Sequence, residues 1–301
     1  MAISRSQLVK ELEPGLNALF GLEYKRYENE HEQIFDKETS DRAFEEEVML
    51  SGFGNAAVKA EGSGVSYDQA QETFTARYTH NTIALAFAIT EEAIEDNLYD
   101  RLASRYTKAL ARSMANTKQV YAANVLNNAF NTTYLGGDGV ALCSTSHPTL
   151  AGTFSNTLAT AADLNETSLE QALIDIAAFT DERGLKIAAQ GLKLIIPSAL
   201  QFTADRLMKS AGRVGTSDND INAIKDMGMV PQGYTVNHFL TDSDAFFIKT
   251  DAPNGLKYFE RAPIKTSMEG DFETGNVRYK ARERYSFGWS DPRGIYGTAG
   301  A

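Results

Sequence analysis

Cys143 and His147 lie four residues apart in the run Leu142-Cys143-Ser144-Thr145-Ser146-His147-Pro148. A cysteine nucleophile needs a base within hydrogen-bond reach and a third group to hold that base. Spacing of four within a Ser/Thr-rich loop secures neither. Zinc takes about four ligands, so this pair alone makes no zinc site either. Asp138, Asp218, Asp220, Asp242 and Asp244 fall in turn-like stretches, where a carboxylate caps its own backbone. No calcium loop of spaced oxygen ligands ending in Glu is present. His80 and His238 sit in strand contexts, which favour packing or hydrogen bonding over catalysis. Gly52, Gly54, Gly62 and Gly64 lack the spacing of a phosphate-binding loop. The expectation is therefore no catalytic, cofactor-binding or metal-binding residues and no cofactor.

Composition narrows the classes further. The chain has 301 residues, with 29 Lys plus Arg against 40 Asp plus Glu, a net charge of −11. Neutralising phosphates needs surplus cations, so a nucleic-acid-binding module is disfavoured. One cysteine excludes an internal disulfide. No apolar run is long enough to span a membrane, and no secretion signal opens the chain.

The elements that would position any site read as α+β. Ser6 to about Arg26 has helical spacing of Leu8, Leu12, Leu16, Leu19 and Phe20, with Pro14-Gly15 expected to divide it or set a turn. Residues 23–47 are dense in acids and read as an arm lying on another surface, not as core. Residues 52–90 read as a long two-stranded excursion with a Gly-rich part and a change of parity near His80-Asn81. Glu91 to Phe130 has no Gly or Pro and reads as one long helix capped by Thr90. Its apolar face is expected to carry Ile94, Leu98, Leu102, Tyr106, Leu110, Met114, Thr117, Tyr121, Val125 and Ala129.

Beyond it, Thr167 and Glu170 suggest a capping box for a helix ending before Gly184. Leu192 to Ile196 reads as a buried strand, and Ser198 and Gln201 as a second box for a helix to about Lys209. Ile221 to Met227 fits a short strand or a helix. Strands are expected at Thr235 to Leu240 and Ala245 to Thr250 around an Asp242-Ser243-Asp244 turn, and at Leu256 to Glu260. In the last strand, Asn276 to Trp289, the odd positions are apolar except Glu283, and the even ones carry Arg278, Lys280, Arg282 and Arg284. That basic row suits solvent or an acidic partner. Gly294 to Ala301 reads as a frayed tail.

An acidic arm, a projecting hairpin and a long helix cannot offset their own ordering entropy, which points to assembly. The order of elements, the loop ending in His147-Pro148 and the strand Gly191-Leu192-Lys193-Leu194-Ile195-Ile196-Pro197 resemble the HK97-fold major capsid proteins of tailed bacteriophages, with some similarity to Mu-like major head subunits. The resemblance covers essentially the whole chain. It implies an N-terminal arm at 1–48, an E-loop at 49–90 reaching across a neighbouring subunit, and a peripheral domain at 91–164 with a spine helix at 91–130. An axial domain would follow at 165–240, with residues near 212–222 as its central loop. Residues 241–301 would return to the peripheral domain and the C-terminal strands.

The function implied is a structural head protein, not an enzyme. It would self-assemble into hexamers and pentamers of an icosahedral shell around double-stranded DNA, without sequence-specific binding. No room for a cleaved scaffolding segment is expected before residue 91, so a separate scaffolding protein is expected, with a portal protein; a decoration protein is an optional further partner. Lys59 lies in the E-loop region, but nothing assigns it a crosslinking partner. The protein would be made in the bacterial host cytoplasm and reside in the virion. Alternatives are another self-assembling phage protein, such as a tail tube or sheath subunit, or a soluble α+β enzyme.

Overall fold

A computed structural model describes residues 5–90, 92–93, 99–213, 220–271 and 275–301. Two four-stranded sheets organise them. In the first sheet the order is β1-β10-β11-β4; in the second it is β12-β9-β7-β8.

The first sheet is built on β11 (Val277–Trp289), whose alternation is the one read in the sequence. Val277, Tyr279, Ala281, Glu283 and Tyr285 are buried, and Arg278, Lys280 and Arg282 are exposed. It pairs antiparallel with β10 (Leu256–Gly270) and with β4 (Asn81–Ile89), while β1 (Asp36–Thr39) lies parallel to β10. β10 is longer than the Leu256 to Glu260 stretch expected.

Helices α1 (Arg5–Tyr24) and α2 (Tyr99–Asn127) cover the buried face. Pro14 lies inside α1 and does not divide it. Burial of Leu16 and Phe20, and two hydrogen bonds to Asn17 Oδ1 from Thr266 (2.7 Å) and Tyr279 (2.8 Å), outweigh the missing backbone donor. The Thr90 cap is present as an Ala93 N–H bond to Thr90 Oγ1 of 3.4 Å, although residues 91 and 94–98 of the expected helix lie outside those described. The buried face of α2 is rotated from the expected one. Ala103, Thr107, Leu110, Ala111, Met114, Ala122 and Leu126 are buried, whereas Tyr106 and Tyr121 are 48 % and 40 % exposed. Alanines set the phase because they let the helix approach the sheet closely.

The expected pairing of residues 52–90 with themselves is overturned. β2 (Phe44–Leu50) pairs with β3 (Glu72–Thr79), and β4 leaves at His80 to join the first sheet. The parity change is real: Ala76 and Tyr78 are buried before His80, Ile89 after it. Residues 23–47 are not purely a surface arm, since His31, Ile34 and Phe35 bury in the core under the first sheet. Glu23, one of its acids, is buried as well.

The second sheet centres on β7 (Gly191–Ile196), parallel to β8 (Tyr234–Val236) and antiparallel to β9 (Phe246–Thr250). β8 and β9 thus flank β7 and are not a hairpin around Asp242 to Asp244. The final residues are not frayed. β12 (Ile295–Thr298) pairs with β9 and is wholly buried. A Cβ on Gly297 would lie 2.6 Å from Phe247 and 2.9 Å from Cys143 Sγ, so only glycine fits there.

Helices α3 (Glu166–Ala177) and α4 (Gln201–Lys209) pack on this sheet. The capping box of α3 is Asn165 with Ser168, two residues earlier than Thr167 with Glu170. Asn165 Oδ1 accepts the Ser168 N–H at 2.8 Å and Ser168 Oγ accepts the Asn165 N–H at 3.0 Å. No side chain caps α4; a 3-10 turn at Ser198–Leu200 leads into it. Ile221 to Met227 resolves as a short helix, α5 (Ala223–Asp226), capped by Asn222. The loop stretch ending in Pro148 contains a short strand, β5 (His147–Thr149), paired with β6 (Gly152–Phe154).

Candidate functional site

The sequence-level candidates for chemistry do not converge. Cys143 is buried against Gly297 in the core between the two sheets, and burial pushes its thiol well above the usual range. His147 instead faces Asp138 Oδ2 (2.5 Å, Nδ1) and Asn156 Oδ1 (3.1 Å, Nε2). Asn156 in turn donates to the carbonyls of Leu142, Pro292 and Ile295. This is a latch between loops, with the thiol elsewhere. His80 bridges Ser286 and Ser40, each at 2.9 Å, and His238 pairs with Glu30 at 2.7 Å. Asp242 caps the N–H groups of Asp244 and Ala245. Asp220 accepts Arg213 N–H through its backbone carbonyl, and Asp218 lies outside the described residues. Among the described residues, no group of three His, Cys, Asp or Glu could hold a metal, and no helix is long and apolar enough to cross a membrane.

What the geometry does present is a clamped hairpin with a bare end. At its base, Lys257 Nζ meets Glu38 Oε1 at 2.9 Å and also Glu47, which bonds Ser290 Oγ. Burial works against charge on Lys257, but Glu47 and Glu38 outweigh it and hold the ammonium above its ordinary range. Tyr78 crosses Gly288, where a Cβ would lie 2.8 Å from its ring, and its hydroxyl reaches Ser290 at 2.5 Å. Gly137 is pressed to the same strand, with Thr75 O only 2.6 Å from where a Cβ would be. The base therefore docks rigidly on the first sheet.

The end, residues 51–71, has no regular strand or helix. Val58 is 100 % exposed and Tyr67 94 %. Polar ties near Asp68 hold it: Asp68 accepts the Gly54 N–H at 2.7 Å and stands 3.8 Å from Arg183, which also donates to the Gln69 carbonyl. The backbone donors of Gly54 and Gln69 hold that carboxyl below its usual range. Lys59 lies in this exposed stretch.

Two further features were not legible beforehand. The N-terminal segment ties both sheets together through Lys249–Asp36 (2.8 Å) and Glu30–His238, beside a cleft of about 1300 Å³ lined by Tyr27, Arg112, Asn116 and Tyr234. Arg293, buried, pairs with Glu182 at 2.8 Å, donates to Thr180 O at 2.6 Å and covers the Phe154 ring at 4.9 Å. These contacts join residues more than a hundred positions apart. The only local signal is an Arg in a stretch of otherwise buried type.

Residues 72–298 match a family model described as phage capsid protein. Solved structures agree in fold. The capsid of cyanophage P-SCSP1u superposes with a TM-score of 0.56 at 12% identity, covering 89% of this chain and 86% of that one. The virus-like particle from Pyrococcus furiosus gives 0.51 at 10% identity, covering 94% and 97%. The capsid of an empty GTA particle gives 0.51 at 17% identity, covering 91% and 90%. No curated protein matches the chain.

Proposed function

Because the chain belongs to the phage capsid protein family and has the HK97-like fold of a major capsid shell protein, we propose that its copies form the hexamers and pentamers of an icosahedral phage head enclosing double-stranded DNA. Its role is structural. The tail-tube, sheath and enzyme alternatives are not favoured by that membership.

The observation that carries the mechanism is the contrast within the hairpin. A base locked by Lys257, Glu47 and Ser290 bears an end whose Val58 and Tyr67 are left almost fully exposed among the described residues. Burying such side chains against a neighbour contributes roughly 1.5–3 kcal/mol each. A rigid root with an adaptable end suits a shell in which one subunit meets slightly different curvatures.

The divisions of the subunit follow the sheets. We assign the reaching loop to the hairpin from Phe44 to Thr79, and the N-terminal arm to the residues before it. The peripheral unit takes α2 and the first sheet, including β4. The axial unit takes the second sheet, with β9 and β12 from beyond residue 240. A separate scaffolding protein, a portal at one vertex and a decoration protein complete the proposed set of partners. The net charge of −11 supports a wall that holds DNA without gripping it. Synthesis in the bacterial host cytoplasm precedes incorporation in the virion.

Replacing residues 52–70 by a two-residue turn tests the hairpin's role. The expected product is a folded subunit with unchanged melting that forms no closed shells. Normal shells from that variant would remove the loop from the mechanism.

A further inference from the structure

Two arginines at the root of the hairpin lack partners for most of their donors. The β10–β11 register shifts between Glu260 and Ala262 and again between Ala262 and Lys265, beside Pro263, which leaves Arg261 as an extra residue on a bulge. A bulge re-aims the side chain it carries. Arg261 Nε donates to the carbonyl of Arg42 at 2.8 Å, and Arg284 Nη2 reaches the next carbonyl, that of Ala43, only at 3.5 Å. Bonding to successive carbonyls of one turn sets the two half-buried guanidinium groups side by side. A guanidinium is a fork of N–H donors with no acceptor. Arg284 Nε is buried and has no hydrogen-bond partner among the described residues. Arg42, Arg261 and Arg284 make no ion pair among those residues either. The acids of the flanking strands are engaged elsewhere: Glu45 accepts from Ser40 Oγ at 2.6 Å, Glu46 stands 3.8 Å from Arg77, and Glu260 pairs with Lys37 at 3.0 Å. Asp41, exposed in the same turn, joins none of the three arginines. His80 bridges Ser40 and Ser286 close by. Burial, and then the positive field of Arg284 and Arg261, lower it below its ordinary range against the pull of Glu45.

We propose that Arg261 and Arg284 bind one free tetrahedral oxyanion of the phosphate class between their guanidinium groups. Guanidinium forks match phosphate oxygens two at a time, and an anion placed between like charges offsets their repulsion. Arg284 offers Nε and Nη1, Arg261 offers its two Nη groups, and Arg42 in the exposed turn is a further cation. A carboxylate has one pair of oxygens and satisfies a single fork, whereas a tetrahedral ion presents oxygens to both. Residues 40–43 carry the chain from β1 into β2. The ion therefore fastens that turn to β10 and β11, independently of the Lys257 and Glu47 contact. The site does not depend on the shell function, and the full-length chain displays it whether or not it has assembled.

The test titrates the purified full-length chain with sodium phosphate against sodium chloride of equal ionic strength. The expected result is a single site by calorimetry and a rise in melting temperature that chloride does not give, because a ligand held only by the folded chain stabilises it. Sulfate should substitute for phosphate, and acetate should not. Arg261→Gln combined with Arg284→Gln should abolish both signals. Lys280→Gln, at an exposed cation of the same strand outside the site, should leave both unchanged. Arg284→Lys keeps the charge but loses the fork, and should weaken binding by about tenfold; it decides the question if the double variant does not fold. A phosphate response no larger than that of chloride would overturn the assignment, as would one that survives both glutamine substitutions in a folded chain. An equal response to acetate would also overturn it, by making the groove a seat for a carboxylate. So would binding of a single-stranded oligonucleotide by a chain that ignores free phosphate.

Discussion

Lys118 Nζ lies 3.1 Å from Glu283 Oε2 beneath the first sheet, with the carboxylate side chain 1 % exposed. Tyr24 of α1 donates to the same oxygen at 3.1 Å, and the rings of Tyr258 and Tyr285 flank the ammonium at 5.2 Å. One ion pair thus joins the N-terminal helix, the long helix and the strand whose outer face carries the basic row. Burial raises the Glu283 carboxyl above its ordinary range despite the opposing effects of Lys118 and Tyr24. The single acid on an apolar strand face is a fastening between layers.

Lys118→Met should destabilise the subunit by about 3–5 kcal/mol at pH 7, because it leaves a buried carboxylate without its counter-charge. A folded-state value raised above the unfolded one contributes stability in acid that is lost as pH rises through it. The penalty should therefore be smaller at pH 4, because burial raises the Glu283 carboxyl above its ordinary range and it takes up a proton before that pH is reached. Urea unfolding at the two pH values measures it. An equal penalty at both would detach Glu283 from the effect.

His31 titrates in the opposite sense. Burial, the largest influence, lowers it from 6.5 to about 4, partly offset by Gln119. Its contribution is present above 6.5 and lost as pH falls toward 4, by about 3 kcal/mol in all. His31→Gln should flatten that part of the acid limb, read as the change in unfolding free energy between pH 7 and pH 4. An unaltered limb would show that His31 is protonated equally in both states.

The rotated face of α2 makes a direct contrast. Tyr106→Asp, at a position 48 % exposed, should cost no more than about 1 kcal/mol. Ala111→Leu, at a position with no exposure, should cost about 1–3 kcal/mol by overpacking. Thermal melts of the two variants decide it, and the reverse order would place the helix in the wrong phase.

Gly137→Ala probes the root of the hairpin. Its Cβ would meet Thr75 O at 2.6 Å, so the backbone of β3 must shift. The expected outcome is a loss of about 1–3 kcal/mol and fewer regular shells. Wild-type melting and wild-type shells would show that the root is not rigid.

Local pattern carried the elements it could carry. The alternation of β11, the Gly/Pro-free long helix, the buried strand at 191–196 and the parity change at His80 were all legible, because each is set by neighbours within a few residues. Strand partners were not. Nothing near residue 72 says that it pairs with Leu50 and not with β4. The phase of α2 is not legible in its large side chains, because the small Ala103 and Ala111 are the residues buried against the sheet. The last residues looked frayed because Gly297 reads as flexible until Phe247 and Cys143 are seen pressed against it. For the candidate site, the exposed Gly-rich end is legible in the sequence. The clamp of Lys257, Glu47 and Ser290 joins residues more than two hundred positions apart, and no local signal marks it.

Electron microscopy of the purified full-length chain, alone and co-expressed with its neighbouring genes, tests the central claim most directly. The account predicts closed shells, or hexameric and pentameric rings that close when the scaffolding partner is supplied. A uniform monomer or small oligomer in every condition would contradict it.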